Sequence, residues 1–447
     1  MEADLQVEGQ DPAEVNPHYV DHAVASSAER DVQASEDILT GNGIKLLSKG
    51  AHIDAGTRDR LLEHKLAKPL EDCIEVGNGI VPAMFGPLAE ELLSQHEIFR
   101  KLCAHERAQA VGASLSSLRL SRPVQSLLTL QADFQGERNS HSVGVAMLTL
   151  GLARRLLPNQ IDRHRQLMLA ALLHDVGELY IDPALLKRGS LLQTEQWRHI
   201  VSHPVIGYRV LRRMEGAGPA VAEAVLDHHE RLDGFGYPRG LVGERFPLAH
   251  QILAVAEWLM ALVNAGSAPL SRASVASRLV PGEFSPVIIE ILDAAAISRA
   301  ETALWLEAQQ SLLSSLNRLE RIVDTLERFQ RSRAWIDARI AAASPQLRVT
   351  LELGLRRMLR IQSSFSSTGL DRRNPDTCLG ELAGEADLKL HEELQTLIGE
   401  FGWRMRELER ESLLRAGLLE PADLAVMREL VGRLRGERPI ELESGQG

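Results

Sequence analysis

The chain has 447 residues, 44% hydrophobic and 25% charged, which is enough apolar sequence for the cores of two to four domains. A net charge of −11 excludes the strongly basic surface that binds a nucleic acid polymer, and three scattered cysteines exclude a disulfide framework. The chain shows neither a signal-peptide pattern nor an apolar run of about 18 residues, so we expect a cytoplasmic protein without a membrane span.

The first part of the chain predicts a disordered lead-in followed by a small folded module. Residues 1–36 are polar, acidic and poor in aromatics, which is typical of disorder. Two short apolar runs flank the Gly-Asn-Gly sequence at 41–43 and predict a β-hairpin. A helix near 57–64 and a strand near 73–76 would complete an α/β docking or sensing module over residues 37–78.

The middle of the chain predicts helices that lead into a metal-binding domain. Residues 79–130 show apolar residues at helical spacing and are interpreted as connecting helices. The predicted domain covers residues 131–300. Within it, residues 167–173 are apolar all round, as in a buried helix, and this helix carries His174 and Asp175 into the interior.

Residues 301–447 predict a C-terminal helical, coiled-coil-like region. Leucines recur at alternating spacings of four and three, Pro345 interrupts the pattern, and residues 366–384 have the composition of a loop. Two interpretations stay open. The helices form an antiparallel bundle with an ordinary core, or an exposed seam binds a second copy or another protein partner.

Candidate metal ligands are concentrated in residues 137–257. They are five histidines and three carboxylates, mostly within apolar helical sequence: Glu137, His141, His174, Asp175, His203, His228, His229 and Glu257. Burying so many polar groups without partners would cost on the order of several kcal/mol each. This cost favours a bound cation. Imidazole and carboxylate together suit iron, manganese, nickel or zinc.

The sequence HHERLDGFGYPRGL at residues 228–241, together with the His-Asp pair at 174–175, resembles the signature of HD-GYP phosphohydrolases. The resemblance covers roughly residues 130–300. It implies a mainly α fold, in which an HD-type helical metal-site bundle lies between the N-terminal α/β module and the C-terminal helical bundle. It also implies two or three divalent metals, most often iron or manganese, held by the eight residues above, with Glu137 marking the three-metal form.

The resemblance further implies hydrolysis of cyclic di-GMP to pGpG or GMP, in bacterial second-messenger signalling. Asp175 would bridge two metals and, with Glu178, is our catalytic candidate. The substrate would lie along the Gly-Tyr-Pro loop, whose candidate binding residues are Asp233, Gly234, Gly236, Tyr237 and Pro238.

Three positions depart from the family pattern. Glu178 replaces the lysine of HDxGK, Glu257 replaces the final aspartate, and residues 263–270 lack the Arg-Pro-Tyr-Arg segment that grips phosphates. Glu178 places an anion where a substrate phosphate should bind and so weakens affinity; alternatively, it is a further metal ligand or turns outward. The leading function is therefore a metal-dependent phosphodiesterase acting on a cyclic dinucleotide. The alternatives are a signalling module or receptor that keeps metal without turnover, and a phosphohydrolase for another nucleotide.

Overall fold

The computed structural model describes residues 14–104, 109–135, 138–186, 194–264, 269–296, 308–367, 388–416 and 419–437. The chain divides into two compact units, Met1–Ser267 and Ala268–Gly447. The fold is mainly α, as predicted, with short strands near the N-terminus. Within the described ranges, no helix is long and apolar enough to cross a membrane.

The first unit begins with a small α/β module. Its elements are α1 (Pro17–Ser26), β1 (Val32–Ala34), β2 (Ile38–Leu39), β3 (Lys45–Leu47), α2 (Ala55–Leu62), α3 (Leu70–Cys73) and β4 (Ile74–Val76). β2 pairs antiparallel with β3 around the glycine turn, which confirms the predicted hairpin. β1 pairs antiparallel with β4, so residues before the hairpin complete the module.

The prediction of disorder over residues 1–36 is wrong for the part that the structure describes, which begins at residue 14. Asn16 caps α1 by accepting the amides of His18 and Tyr19, and Pro17 occupies the first helical turn. Tyr19 is 1% exposed. The apolar residues of α1 form a single narrow face within polar sequence, and this face becomes buried only against the rest of the unit. The first thirteen residues lie outside the described ranges.

The remainder of the first unit is helical. A 3-10 turn at Pro82–Met84 precedes α4 (Phe85–Gln95), α5 (Glu97–Cys103), α6 (Val111–Ser116), α7 (Arg122–Gln135), α8 (Arg138–Leu156), α9 (Ile161–Leu173), α10 (Thr194–Val201), α11 (His203–Leu211), α12 (Pro219–Asp227) and α13 (Leu248–Asn264). Two further 3-10 helices span Val176–Tyr180 and Gly243–Arg245. Residues 167–173 of α9 are all buried, which confirms the predicted interior helix.

The second unit consists of α14 (Pro269–Leu279), α15 (Pro286–Ala296), α16 (Ala308–Ala342), α17 (Pro345–Ser367), α18 (Leu388–Ala416) and α19 (Pro421–Arg435). The helix break at Pro345 is confirmed. The predicted loop at 366–384 falls mostly outside the described residues, although α17 extends to Ser367. Because α14 and α15 belong to this unit, the unit boundary lies well before residue 300.

The core of the second unit contains charges that its leucine pattern does not predict. Arg357 and Arg404 are 2% and 0% exposed, and both contact Glu283 and Glu407. The Arg357–Glu407 and Arg404–Glu407 distances are both 3.0 Å. The bundle therefore has a charged centre within an apolar packing, and a partner surface along it stays a prediction.

Candidate metal centre

The predicted ligands come from the ends and middles of five helices in the first unit. His141 lies on α8, His174 caps the end of α9, Asp175 follows it, His203 begins α11, His228 caps α12, His229 follows, and Glu257 lies within α13. Helices that end at the centre present their last side chains to it, which is how an apolar helix such as α9 delivers a polar pair. Glu137 lies outside the described residues.

Asp175 is at the middle of the cluster. Its Oδ2 lies 3.1 Å from His174 Nε2, and its Oδ1 lies 3.4 Å from His203 Nε2. His228 Nε2 is 3.8 Å from the same Oδ1. The two carboxylate oxygens thus face different histidines, as a bridging ligand requires.

The donor atoms form two groups that share Asp175. One contains His203, His228 and His229, and the other contains His141 and His174; within each group the donors lie within 4.8 Å of one another. Glu257 Oε2 lies 3.0 Å from His141 Nε2 and 3.2 Å from His174 Nε2, so it borders the second group. The structure therefore brings seven of the eight predicted ligands together.

Three of the histidines are fixed through their second ring nitrogen. Each Nδ1 lies within hydrogen-bond distance of the carbonyl oxygen three residues earlier: 2.8 Å for His174, 2.7 Å for His203 and 2.5 Å for His228. Since a carbonyl only accepts, Nδ1 carries a proton in each ring, and Nε2 is the atom left to bind a metal ion. A hydrogen bond from the ring nitrogen that does not face the metal is typical of metal-bound histidine.

The facing donor atoms fit a cation. His203 Nε2 and His228 Nε2 are 3.0 Å apart, and with both Nδ1 atoms protonated two lone pairs oppose each other. Among the described residues, the buried atoms His174 Nε2 and Glu257 Oε2 have no partner in hydrogen-bonding geometry, although they lie only 3.2 Å apart. A cation beside each of these two pairs of atoms would give all four atoms a partner. The residues present therefore fit the divalent metals that were predicted.

The electrostatics of the site determine which of these side chains must lose a proton to bind a metal ion. Burial opposes ionisation of Asp175, but His174 and His203 outweigh it and hold its pKa well below the usual value. Burial alone would lower the pKa of His174, yet Asp175 and Glu257 raise it well above normal, so a metal ion would have to displace a proton from its Nε2. Burial, with His203 and His174, lowers the pKa of His228 to about 3. His228 is therefore neutral at pH 7, the form that binds a metal.

The 3-10 helix Val176–Tyr180 packs closely against the start of α11. A Cβ atom on Gly177 would overlap the carbonyl oxygen of His203 and lie 2.8 Å from its carbonyl carbon, so only glycine allows this approach. Glu178 is buried, with 8% exposure, and lies outside both donor groups found among the described residues. Its roles as a catalytic residue and as a further ligand stay predictions.

The Gly-Tyr-Pro loop is held by one buried carboxylate. Glu230, 0% exposed, accepts the backbone amides of Arg239, Gly240 and Leu241 at 2.5 to 3.0 Å. The Tyr237 ring stacks on His229, with centroids 4.7 Å apart and planes at 26°. The loop thus borders the metal ligands, with Tyr237 half-buried beside them.

Two glycines and a local hydrogen bond determine the backbone conformation of this loop. Gly234 has a φ of +80°, which other residues rarely adopt. At Gly236 a Cβ would overlap the backbone of Glu230 and Arg231. Asp233 turns back to accept the amide of Phe235, and the Tyr237–Pro238 peptide is cis. Substrate binding by these loop residues stays a prediction.

Some residues that support the site were missed in the sequence. Asp227, 0% exposed, accepts from Arg239 and from His250 Nδ1, which is 2.7 Å away, and so joins α12 to the loop and to α13. The Asn264 side-chain amide lies 3.1 Å from His141 Nδ1. The signal available in the sequence was Asp227 itself, a carboxylate at the end of α12 and directly before the His-His pair.

Known proteins match the same region. The HD domain family matches residues 122–278. The cyclic di-GMP phosphodiesterase response regulator RpfG of Xanthomonas campestris is 41% identical over 131 residues, which are 29% of this chain and 32% of that protein. A cyclic di-GMP phosphodiesterase of Thermotoga maritima is 30% identical over 174 residues, 37% of this chain and 47% of that one.

A relative with a different named substrate also matches. The 3′3′-cGAMP-specific phosphodiesterase 1 of Vibrio cholerae is 30% identical over 211 residues, 43% of this chain and 47% of that protein. A solved HDGYP protein of Bdellovibrio bacteriovorus, Bd1817, aligns with 60% of this chain and 96% of its own at 15% identity and a TM-score of 0.33. The chain thus spans a third to a half of the length of these three relatives. Residues 122–278 therefore match the HD domain family, and the predicted resemblance of this region to HD-GYP phosphohydrolases is confirmed.

Proposed function

We propose that the chain is a metal-dependent phosphodiesterase that hydrolyses a cyclic dinucleotide, with cyclic di-GMP as the first candidate and pGpG or GMP as the product. The observation that carries the proposal is the pair of donor groups that share Asp175. Two metal ions bound a few Å apart clamp a phosphodiester and lower the pKa of a water molecule, so that no side-chain nucleophile is needed.

The side chains of the site would divide the work between them. Asp175 has one oxygen toward each donor group and would hold both ions in register. His203 and His228 would hold one ion through their oriented Nε2 atoms, and His174 would help to hold the other. Tyr237, which stacks on His229, would offer a ring face to a base and a hydroxyl to a phosphate.

The names of the relatives support a cyclic dinucleotide as the substrate, but they point to two different compounds. Two of those described are named for cyclic di-GMP and one for 3′3′-cGAMP. Both compounds contain two phosphodiesters in one ring and differ in a single base. Both should therefore be assayed, since the metal centre acts on the part that they share.

Glu178 favours the second candidate, a module that keeps metal without turnover. Three residues after Asp175 it places a buried carboxyl where the family has a lysine. At 4 Å, like charges repel by about 1–4 kcal/mol in water or near a protein surface, a loss of one to three orders of magnitude in phosphate affinity. Replacing Glu178 with lysine restores the family's cation, so a gain in turnover would show that only this position limits an otherwise competent site.

The test uses the full chain, purified without oxygen, with metal content and turnover measured on the same sample. We expect two or three metals per chain and conversion of cyclic di-GMP or 3′3′-cGAMP in Mn²⁺ or Fe²⁺. The His228→Ala variant should lose metal and turnover. The control is His64→Ala, which changes an exposed histidine of the N-terminal module and should lose neither. Metal without turnover in both the wild type and Glu178→Lys would support the signalling module, and the absence of metal would contradict both candidates.

A further inference from the structure

We propose that the N-terminal α/β module positions the metal centre, with Asn16 and Tyr19 as positioning residues for Asp175. They act through the 3-10 helix Val176–Tyr180, which begins at the residue after Asp175. The inference rests on the proposed function, because it assigns these residues to that same centre. It gives the module a role in the geometry of the site.

Helix α1 contacts the far end of this 3-10 helix through two side chains. The rings of Tyr19 and Tyr180 stack, with centroids 5.0 Å apart and planes at 9°. Asn16 Nδ2 donates to the carbonyl oxygen of Tyr180 at 3.2 Å. The Oδ1 of the same amide accepts the backbone amides at the start of α1. One side chain therefore joins the first turn of α1 to the last residue of the 3-10 helix.

The 3-10 helix is also tightly packed on the side away from α1. Val176 and Leu179 are 0% exposed, and Gly177 touches the backbone of His203, itself a predicted ligand. Internal hydrogen bonds from Glu178 to Asp175 and from Ile181 to Glu178, 2.9 and 3.1 Å long, keep the segment regular. A 3-10 segment rises about 2 Å per residue, so Tyr180 and Asp175 are about 10 Å apart along it. Because the segment is regular and tightly packed, we infer that a shift at Tyr180 also displaces Asp175.

The opposite end of α1 is fixed to α7. Ser26 Oγ and Arg30 Nε donate to Asp133 at 2.6 and 2.7 Å. Ser126 and Thr129 of α7 in turn accept the amides of Val76 and Ile80. Among the described residues the module is thus attached to α7 and to the 3-10 helix. α7 also contacts this 3-10 helix, so both attachments support the segment that follows Asp175.

The stack provides a matched set of variants. Tyr19 is 1% exposed, and its hydroxyl has no hydrogen-bond partner among the described residues. Tyr19→Phe therefore keeps the interaction, whereas Tyr19→Ala removes it. Arg58→Ala breaks the exposed ion pair between Arg58 and Asp21 on another face of α1 and leaves the stack in place.

The experiment measures Mn²⁺ affinity by electron paramagnetic resonance on the full chain, with the melting temperature and with kcat and KM for cyclic di-GMP. We expect Tyr19→Ala to lower Mn²⁺ affinity at least tenfold, as loss of an outer-shell support does, and to lower kcat more than KM rises. Tyr19→Phe should match the wild type. Arg58→Ala should keep wild-type affinity even where its melting temperature falls.

Wild-type Mn²⁺ affinity and kcat in Tyr19→Ala would overturn the inference, as would an equal loss of affinity in Arg58→Ala. If Tyr19→Ala does not fold, Asn16→Ala, which removes the donor to Tyr180, decides by the same readouts. Wild-type protein that binds Mn²⁺ without turnover would contradict the proposed function alone, because the affinity comparison still decides the positioning role.

Discussion

Replacing Gly177 with alanine tests how closely the 3-10 helix and the start of α11 must approach. The new Cβ would overlap the carbonyl oxygen of His203 and lie 2.8 and 2.9 Å from its carbonyl carbon and Cα. Carbon atoms in favourable contact are about 3.5–4.0 Å apart, so the two segments must separate by about 0.7 Å or more. Both carry predicted ligands, and both are backbone, so the strain has no flexible side chain to absorb it.

We expect Gly177→Ala to destabilise the first unit by about 1–3 kcal/mol, the usual cost of overpacking. Because His203 moves away from Asp175, metal content should fall as well. Urea unfolding and elemental analysis measure the two effects on one preparation. Gly399→Ala is the control: no atom lies within 4 Å of its added Cβ, and it lies inside α18. There, alanine should stabilise the helix by up to about 1 kcal/mol.

Wild-type stability together with wild-type metal content in Gly177→Ala would refute this reasoning. It would mean that the two segments separate freely, and hence that their approach does not fix the ligands. Lower stability with full metal content would refute only the second step. In that case the ligands would keep their places while the backbone behind them moved.

Three other substitutions have defined outcomes. Asp227→Ala should destabilise the first unit by about 1–3 kcal/mol in urea unfolding, because Arg239 loses the buried carboxylate that it contacts. Burial lowers the pKa of His22 to about 4, so the stability that neutral His22 contributes is full above pH 6.5 and is lost as the pH falls through 4. In His22→Phe the melting temperature should therefore depend less on pH between 6.5 and 4. Arg404→Met should destabilise the second unit by about 3–5 kcal/mol, and Glu283→Gln added to it should recover part of the loss.

The sequence was most informative where a pattern was local. The apolar stretch that ends at His174 predicted both a buried helix and the delivery of its last residues to the interior, and the structure confirms the helix. The turn at residues 41–43 and the break at Pro345 were predictable for the same reason, since each depends on the backbone preferences of neighbouring residues.

Features that depend on residues distant in the chain were not predictable. Glu230 was visible within the motif, but its role follows from three amides that lie nine to eleven positions later. His250 meets Asp227 across 23 positions, and Asn16 meets Tyr180 across 164. Spacing rules describe one helix or one turn and contain no information on which surfaces meet.

The hydrogen bonds from His174, His203 and His228 to carbonyl groups three residues earlier bear on how the site would acquire metal ions. Each ring is oriented by the turn that precedes it, so its direction is set when that turn forms and does not depend on a cation. The coordination sphere is therefore preorganised, and exchange of one divalent ion for another requires no rearrangement of these rings. Which ion occupies such a site depends largely on the supply of metal around the folded chain.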